Sequence, residues 1–394
     1  MPNILTINAI ASVGLKRFPA AQYKVGHRIT EPDAILVRSQ NLHEMEIPAS
    51  VKAIGRAGAG VNNIPVEKMS KRGMPVFNAP GANANAVKEL VIAGLLIASR
   101  NIAPALGFVG GLSGDDKALH RQVEDGKKAF SGTELPGRTL GVIGLGKIGS
   151  LVADAAIKLG MNVTGFDPHI TVDAAWGLPS AVKKANSIEE VLKAGDYVTI
   201  HVPLLDATRN LINARRLALM KKGAILLNFA RDGIVDDNAV VAALRADNLR
   251  GYICDFPAEV LQGAPRVIAT PHLGASTEEA EDNCAIMVAD QVRDFLENGN
   301  IRNAVNLPDV AMERESPYRL CIVNANVPNM VGQISTAMAG AGLNIHNMLN
   351  KSRGDLAYTL LDVDSAIPAE LVNRLASIDG VVSVRYLPLE GRET

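Results

Sequence analysis

Residues 139–168 read TLGVIGLGKIGSLVADAAIKLGMNVTGFDP. The stretch opens on an apolar run, 140–143, with the composition of a buried strand. Gly144, Gly146 and Gly149 follow in GxGxxG spacing. Residues 150–159 have helical composition, and Gly160 is a good helix stop. Residues 161–166 read as a second strand ending at Asp167. A strand, glycine turn, helix and strand with a terminal acid form a dinucleotide-binding unit. Gly144 allows the tight turn, Gly146 lets the backbone approach a pyrophosphate, and Gly149 lets the helix lie close on the strand. The helix start offers unpaired N–H groups to the phosphates. Asp167 stands where a carboxylate accepts ribose hydroxyls and repels a 2′-phosphate, so NAD is favoured over NADP.

Working outward, the chain of 394 residues has room for two or three domains, and 47% hydrophobic residues supply their cores. A net charge of −1 leaves no broad electrostatic footprint for nucleic acid or an anionic membrane. Cys254, Cys284 and Cys321 lack metal-ligand spacing and cannot all pair, so no metal is expected and a reducing compartment fits. The opening MPNILTINAI has neither the charged nor the long apolar part of a signal peptide. The most apolar segment, 90–98, is too short to span a bilayer. These features predict a soluble cytoplasmic protein.

Residues 1–89 alternate short strands (4–7, 34–37, 51–55 and 75–78) with helical or loop stretches, the pattern of a small parallel α/β unit. Its third strand runs into GRAGAGVNN, 55–63, whose backbone N–H groups suit a small anion. A long apolar helix, 89–100, leads out. After the glycine unit, 196–203, 223–231, 251–255 and 266–271 read as further strands of a doubly wound sheet. Residues 276–298 are strongly helical, and 299–317, rich in Asn and Pro, look like a linker. Residues 320–387 spell strand, helix, two strands, helix, strand, a ferredoxin-like order. The expected domains are 1–89 with 278–302, then 90–277, a linker at 303–317, and 318–394.

Ligands of doubly wound sheets sit beyond the carboxyl ends of the strands, where His201, Arg231, Asp255 and His272 fall. Arg231 ends an apolar strand; it reads either as a salt bridge at a sheet end or as a clamp on a substrate carboxylate. His272 follows a strand, with Glu259 between it and Arg231. A carboxylate beside an imidazole raises its pKa and prepares it to exchange a proton with a substrate hydroxyl. Asp255 reads equally as a helix cap or as an acceptor for the nicotinamide carboxamide. His201 reads as a structural or cofactor-wall residue. Together these groups suit hydride transfer between a 2-hydroxy acid and NAD.

At this point the motifs GLGKIG, FDP, HVPL, NFARDGIVD, CDFPAE and TPHLGAST resemble the D-2-hydroxyacid dehydrogenases in order and spacing. VRS at 37–39, GRAGAGVNN, NAPGANANAVKEL at 78–90 and GTELPGRTLG at 132–141 narrow the resemblance to the members that oxidise 3-phospho-D-glycerate. It covers nearly the whole chain, and the C-terminal unit resembles an ACT regulatory domain. The resemblance implies Arg231, Glu259 and His272 as catalytic residues. It implies Gly144, Gly146, Lys147, Ile148, Gly149, Asp167, His201, Pro203, Ala230, Asp255 and Gly274, with His272, as the NAD site. Arg38, Ser39, Arg56, Gly58 and Asn83 would read the substrate phosphate and carboxylate, with charge added by Lys127 or Lys128. It further implies a homodimer or homotetramer, and an L-serine effector at Asn324, Asn326 and Asn344. Arg38 and Arg56 would come from a second domain, with the glycine loop forming one wall of a cleft.

The sequence departs from the family pattern in three places. DFPAEV is one residue short and has Val260 where the family pattern has a proline after the glutamate, which bears on the position of Glu259. Lys88 replaces a common alanine. Asn329 replaces the glycine of the first C-terminal loop, and Asn tolerates a left-handed backbone better than most residues. Two rival readings follow: the same chemistry on another acid, as in a glyoxylate or hydroxypyruvate reductase, and a non-enzymatic NAD-sensing corepressor.

Overall fold

The strands fall where apolar runs and turn residues put them, with two exceptions. The structure, a computed structural model, describes residues 1–389, so residues 390–394 of the expected last domain lie outside it. The chain divides into two compact units, Met1–Asn83 with Glu278–Thr394, and Ala84–Thr277.

In the first unit, β1 (Asn3–Ile7), β2 (Lys24–Gly26), β3 (Ala34–Val37), β4 (Ala53–Arg56) and β5 (Val76–Phe77) form a parallel sheet in the order β2-β1-β3-β4-β5. This is the flavodoxin-like order. The short edge strand β2 has no apolar run and was not expected. The helix Glu278–Asn298 buries Val288, Val292 and Phe295 in the same core as Leu36, Ala53 and Phe77.

In the second unit, β6 (Thr139–Ile143), β7 (Asn162–Phe166), β8 (Val182–Lys184), β9 (Tyr197–Ile200), β10 (Ala224–Asn228), β11 (Leu249–Cys254) and β12 (Val267–Ala269) form a parallel sheet of order β12-β11-β10-β9-β6-β7-β8. Alternate residues of these strands feed two cores. Val198, Leu226 and Tyr252 face one, and Leu140, Val142, Leu227 and Ile253 the other. A parallel sheet covered on both faces requires this apolar content. The helix leading into this unit is continuous over Ala84–Ser99, and Val87, Val91 and Leu95 bury against the sheet. Its start lies ahead of the expected 89 because ANAV reads as loop until Val87 finds a core. Among the described residues no single helix is long and apolar enough to cross a membrane; this helix and Ile102–Gly110 reach that hydropathy only as a pair bent by 67°.

The C-terminal strands β13 (Tyr318–Ala325), β14 (Ile345–Arg353), β15 (Leu356–Val363) and β16 (Val381–Pro388) form an antiparallel sheet of order β14-β15-β13-β16, with helices Met330–Gly340 and Ala369–Ala376. This is the ferredoxin-like arrangement expected. Leu320, Ile322 and Leu361 pack under the two helices. On the other face Cys321, Val323, Tyr358 and Leu360 join the core of the first sheet. The stretch expected as a linker is packed, with Ile301, Leu307 and Val310 at 0% exposure. Arg319 fixes it, donating to the carbonyls of Asn298, Met312 and Glu313 at 2.9–3.0 Å.

Candidate active site

At the carboxyl edge of the second unit's sheet, each glycine of GLGKIG has its own physical reason. Gly144 has φ +91°, and a Cβ there would press on the His201 carbonyl. A Cβ at Gly149 would overlap the Gly144 oxygen. A Cβ at Gly146 would meet no protein atom within 4 Å, so the protein itself gives no reason for that glycine. Close approach of a ligand does. Gly146 is the N-cap of helix Lys147–Lys158 and no side chain caps that end, which leaves its N–H groups for phosphate. After β7, Asp167 accepts from the Leu145 and His169 N–H groups at 2.9 Å each, one on each oxygen. The remaining lone pairs suit the ribose hydroxyls. Lys147 is exposed and Ile148 partly buried at the helix start.

After β9, the ring of His201 shares a 2.9 Å hydrogen bond with Thr199 Oγ1, while Nδ1 is buried without a partner. Burial pushes its pKa down to about 3, so the ring is neutral. An orphaned buried nitrogen beside exposed Pro203 fits a wall that a cofactor completes.

Arg231 lies past the end of β10. Asn228 braces this loop, donating to the Arg231 carbonyl at 3.0 Å and accepting from the N–H of buried Ala230 at 3.2 Å. The Arg231 side chain is exposed; its Nη1 donates to the Ala230 carbonyl, and no carboxylate pairs with it among the described residues. Of the two sequence readings, the salt bridge is therefore absent.

Asp255, 1% exposed at the end of β11, accepts from Thr270 Oγ1 at 2.6 Å and from the N–H groups of Leu273 and Gly274 at 2.7 Å. These bonds shape the loop that carries His272, a clamp rather than a helix cap. His272 has φ +58°, a left-handed conformation uncommon for a non-glycine residue and held by this clamp. Its ring meets Phe256 edge-on at 5.1 Å. Glu259 starts an exposed turn, Glu259–Leu261, and among the described residues makes no hydrogen bond or ion pair with His272. The Glu–His pairing expected from sequence is thus not formed, and Phe256 is the neighbour that sequence reasoning missed. Asn228 was missed too; its signal was one amide ending an otherwise apolar strand.

In the first unit, Arg38 pairs with Glu281 of helix Glu278–Asn298, and Arg56 Nε donates to the Arg38 carbonyl at 3.0 Å. Gly58 leaves the room that the Arg56 guanidinium occupies. Both arginines pull back the Cys284 thiol pKa that burial pushes up, which places them on one patch. Asn63, not singled out in sequence, donates to the carbonyls of Arg38 and Gln40 at 3.3 and 2.8 Å. Ser39 is exposed beside them, and Asn83 keeps a buried Oδ1 without a partner. In the second unit, Lys127 is held by Glu124 at 2.5 Å, and Lys88 bonds Asn85 at 2.7 Å, an anchor along its own helix.

The C-terminal module holds a pocket of about 140 Å3 lined by Asn324, Asn326, Asn329 and Asn350 among others. Asn324 Oδ1 is buried there without a partner. Asn329 has φ +69°, the left-handed turn expected of it. Asn344, grouped with Asn324 and Asn326 in the sequence, does not line this pocket; its N–H donates to Asp364 at 3.2 Å.

Residues 106–274 match the family model "D-isomer specific 2-hydroxyacid dehydrogenase, NAD binding domain". A D-3-phosphoglycerate dehydrogenase of Methanocaldococcus jannaschii is 36% identical over 85% of this chain, which spans 62% of that protein. One of Haemophilus influenzae is 34% identical over 87% of this chain and 83% of that protein. The crystal structure of an NAD+-bound 3-phosphoglycerate dehydrogenase of Entamoeba histolytica aligns with 77% of this chain and 98% of its own, at TM-score 0.59 and 27% identity. With its glycine loop, its parallel sheet and this shared length, the chain belongs to the D-isomer-specific 2-hydroxyacid dehydrogenase family, in the branch of the D-3-phosphoglycerate dehydrogenases.

Proposed function

We propose that the protein oxidises 3-phospho-D-glycerate to 3-phosphohydroxypyruvate with NAD, the first step of the phosphorylated route to L-serine. One observation carries this reading: a single sheet edge holds the glycine loop, Asp167, an arginine without an acid partner and a histidine in left-handed backbone. NAD, when bound, supplies the hydride acceptor. Arg231 is assigned the C1 carboxylate and the C2 oxygen, which a guanidinium fork matches. Neutral His272 takes the C2 hydroxyl proton on an imidazole nitrogen as the C2 hydrogen leaves with its electron pair. Glu259 is kept as the third catalytic candidate. Arg38 and Arg56, with Ser39, Gly58 and Asn83, are assigned the phosphate, which competes with Glu281 for Arg38. Lys127 would add charge.

Three finer assignments accompany this. The protein acts in the cytoplasm. It forms a homodimer or homotetramer, to which helix Ile102–Gly110 offers Leu106 and Val109 at 67% and 58% exposure. L-Serine binds the asparagine-lined pocket of the C-terminal module. The test is the initial rate of NADH formation with 3-phosphoglycerate, glycerate and glycolate, with and without L-serine. The phosphorylated acid is expected to be preferred by about 10²-fold or more, since glycerate and glycolate lack the dianion that the cations attract. Preference for an unphosphorylated acid favours the glyoxylate or hydroxypyruvate rival, and no NADH from any of them favours the corepressor.

A further inference from the structure

Within the first unit, the parallel sheet and the C-terminal sheet leave a pocket of about 200 Å3 between them. Its apolar lining includes Val51, Met74, Phe295 and Val323, all buried. Its charged lining residues are cations, Lys52, Arg72 and Arg385, and no Asp or Glu lines it. Asp33 neutralises Lys52 at 2.7 Å. Arg72 and Arg385 have no acid partner among the described residues. Arg72 donates to the carbonyls of Ile47 and Pro48 at 3.0 and 2.8 Å. Arg385 lies over the Phe295 ring, 4.3 Å from its centroid, and reaches the Phe295 and Leu296 carbonyls only at 3.3–3.5 Å. The Arg385 contacts are long and weak, and the two Arg72 bonds use only part of a guanidinium's five N–H donors, so both groups keep donors to give. Ser383 adds a hydroxyl.

Cations held against an apolar floor favour an anion that desolvates them and covers the floor together. Inorganic phosphate would satisfy the arginines and leave the apolar side of the pocket unfilled. We propose that this pocket binds a small carboxylate with a compact apolar body, its carboxylate on Arg72 and Arg385 and its body over Val51, Met74, Phe295 and Val323. It is separate from the asparagine-lined pocket, whose lining carries no charge. An occupant touching both sheets ties the C-terminal module to the first sheet and raises the melting temperature by mass action.

The full chain is titrated calorimetrically with benzoate, benzamide and acetate, without NAD or substrate. Saturable binding of benzoate is expected, with benzamide and acetate each about tenfold weaker or more, because one lacks the charge and the other the body. Arg72→Met is expected to weaken benzoate by about tenfold as well. The benzamide comparison needs no variant, so it stands if Arg72→Met does not fold. No saturable benzoate heat, or benzamide binding as well as benzoate, overturns the proposal.

Discussion

Arg231 and Arg319 each belong to an apolar strand region, yet they are opposites. Arg319, at the start of β13, is 0% exposed and forks onto Asp362, also 0% exposed, at 2.6 and 2.7 Å. Its remaining donors hold three backbone carbonyls. Arg231, past the end of β10, is exposed, and among the described residues its side chain bonds only the Ala230 carbonyl of its own loop. A buried guanidinium must be paired on every side, because an uncompensated charge there is costly. An exposed one, its loop braced by Asn228 and with no acid partner among the described residues, has most of its fork open to solvent. Composition alone gives both residues the same description; pairing separates the arginine that pins the fold from the one proposed for chemistry.

The largest expected effect lies on the structural side. Arg319→Met leaves Asp362 buried and unpaired, and should lower unfolding free energy by about 3–5 kcal/mol in urea titration. A loss under about 1 kcal/mol would mean that the pair does not pin this segment. The glycine loop sharpens the same contrast between fold and chemistry. Gly149→Ala forces a Cβ onto the Gly144 oxygen and should cost about 1–3 kcal/mol. Gly146→Ala meets no protein atom, so it should spare the melting temperature while raising the KM for NAD. Equal stability losses in the two variants would remove the argument for a ligand at Gly146.

The smallest effect concerns pH. Burial, helped by Asp232 and Asp236, pushes the Asp237 carboxyl up to about 6. A carboxyl whose pKa rises on folding stabilises the native state while protonated, and that contribution is lost as pH climbs through about 6. Asp237→Asn should therefore match the parent in melting temperature below pH ~4 and exceed it above pH ~6. Identical melting curves for the two proteins at pH 8 would contradict the shift.

Much of the fold was legible because buried parallel strands need apolar runs, as in 140–143 and 224–228. Strands β2 and β8, KVG and VKK, escaped because edge strands bury little and carry no such run. Helix Asp116–Gly126 escaped because it buries no residue, and only Asp115, accepting from the Ala118 N–H at 2.9 Å, marks its start. The expected linker looked loose because Asn and Pro break up its apolar residues, while Ile301, Leu307 and Val310 suffice to pack it. Placement at the sheet edge was legible wherever a residue follows a strand, as with Asp167, Arg231 and Asp255. The Glu259–His272 pairing was not, because it depends on the path of a shortened loop, which neither periodicity nor spacing encodes.

The account rests on Arg231 being free for a substrate, and one variant tests that most directly. Arg231→Gln keeps the loop and removes the charged fork. With 3-phosphoglycerate and NAD, kcat/KM should fall about 10²–10³-fold while the melting temperature stays that of the parent. Unchanged kcat/KM in a folded Arg231→Gln protein would contradict the account.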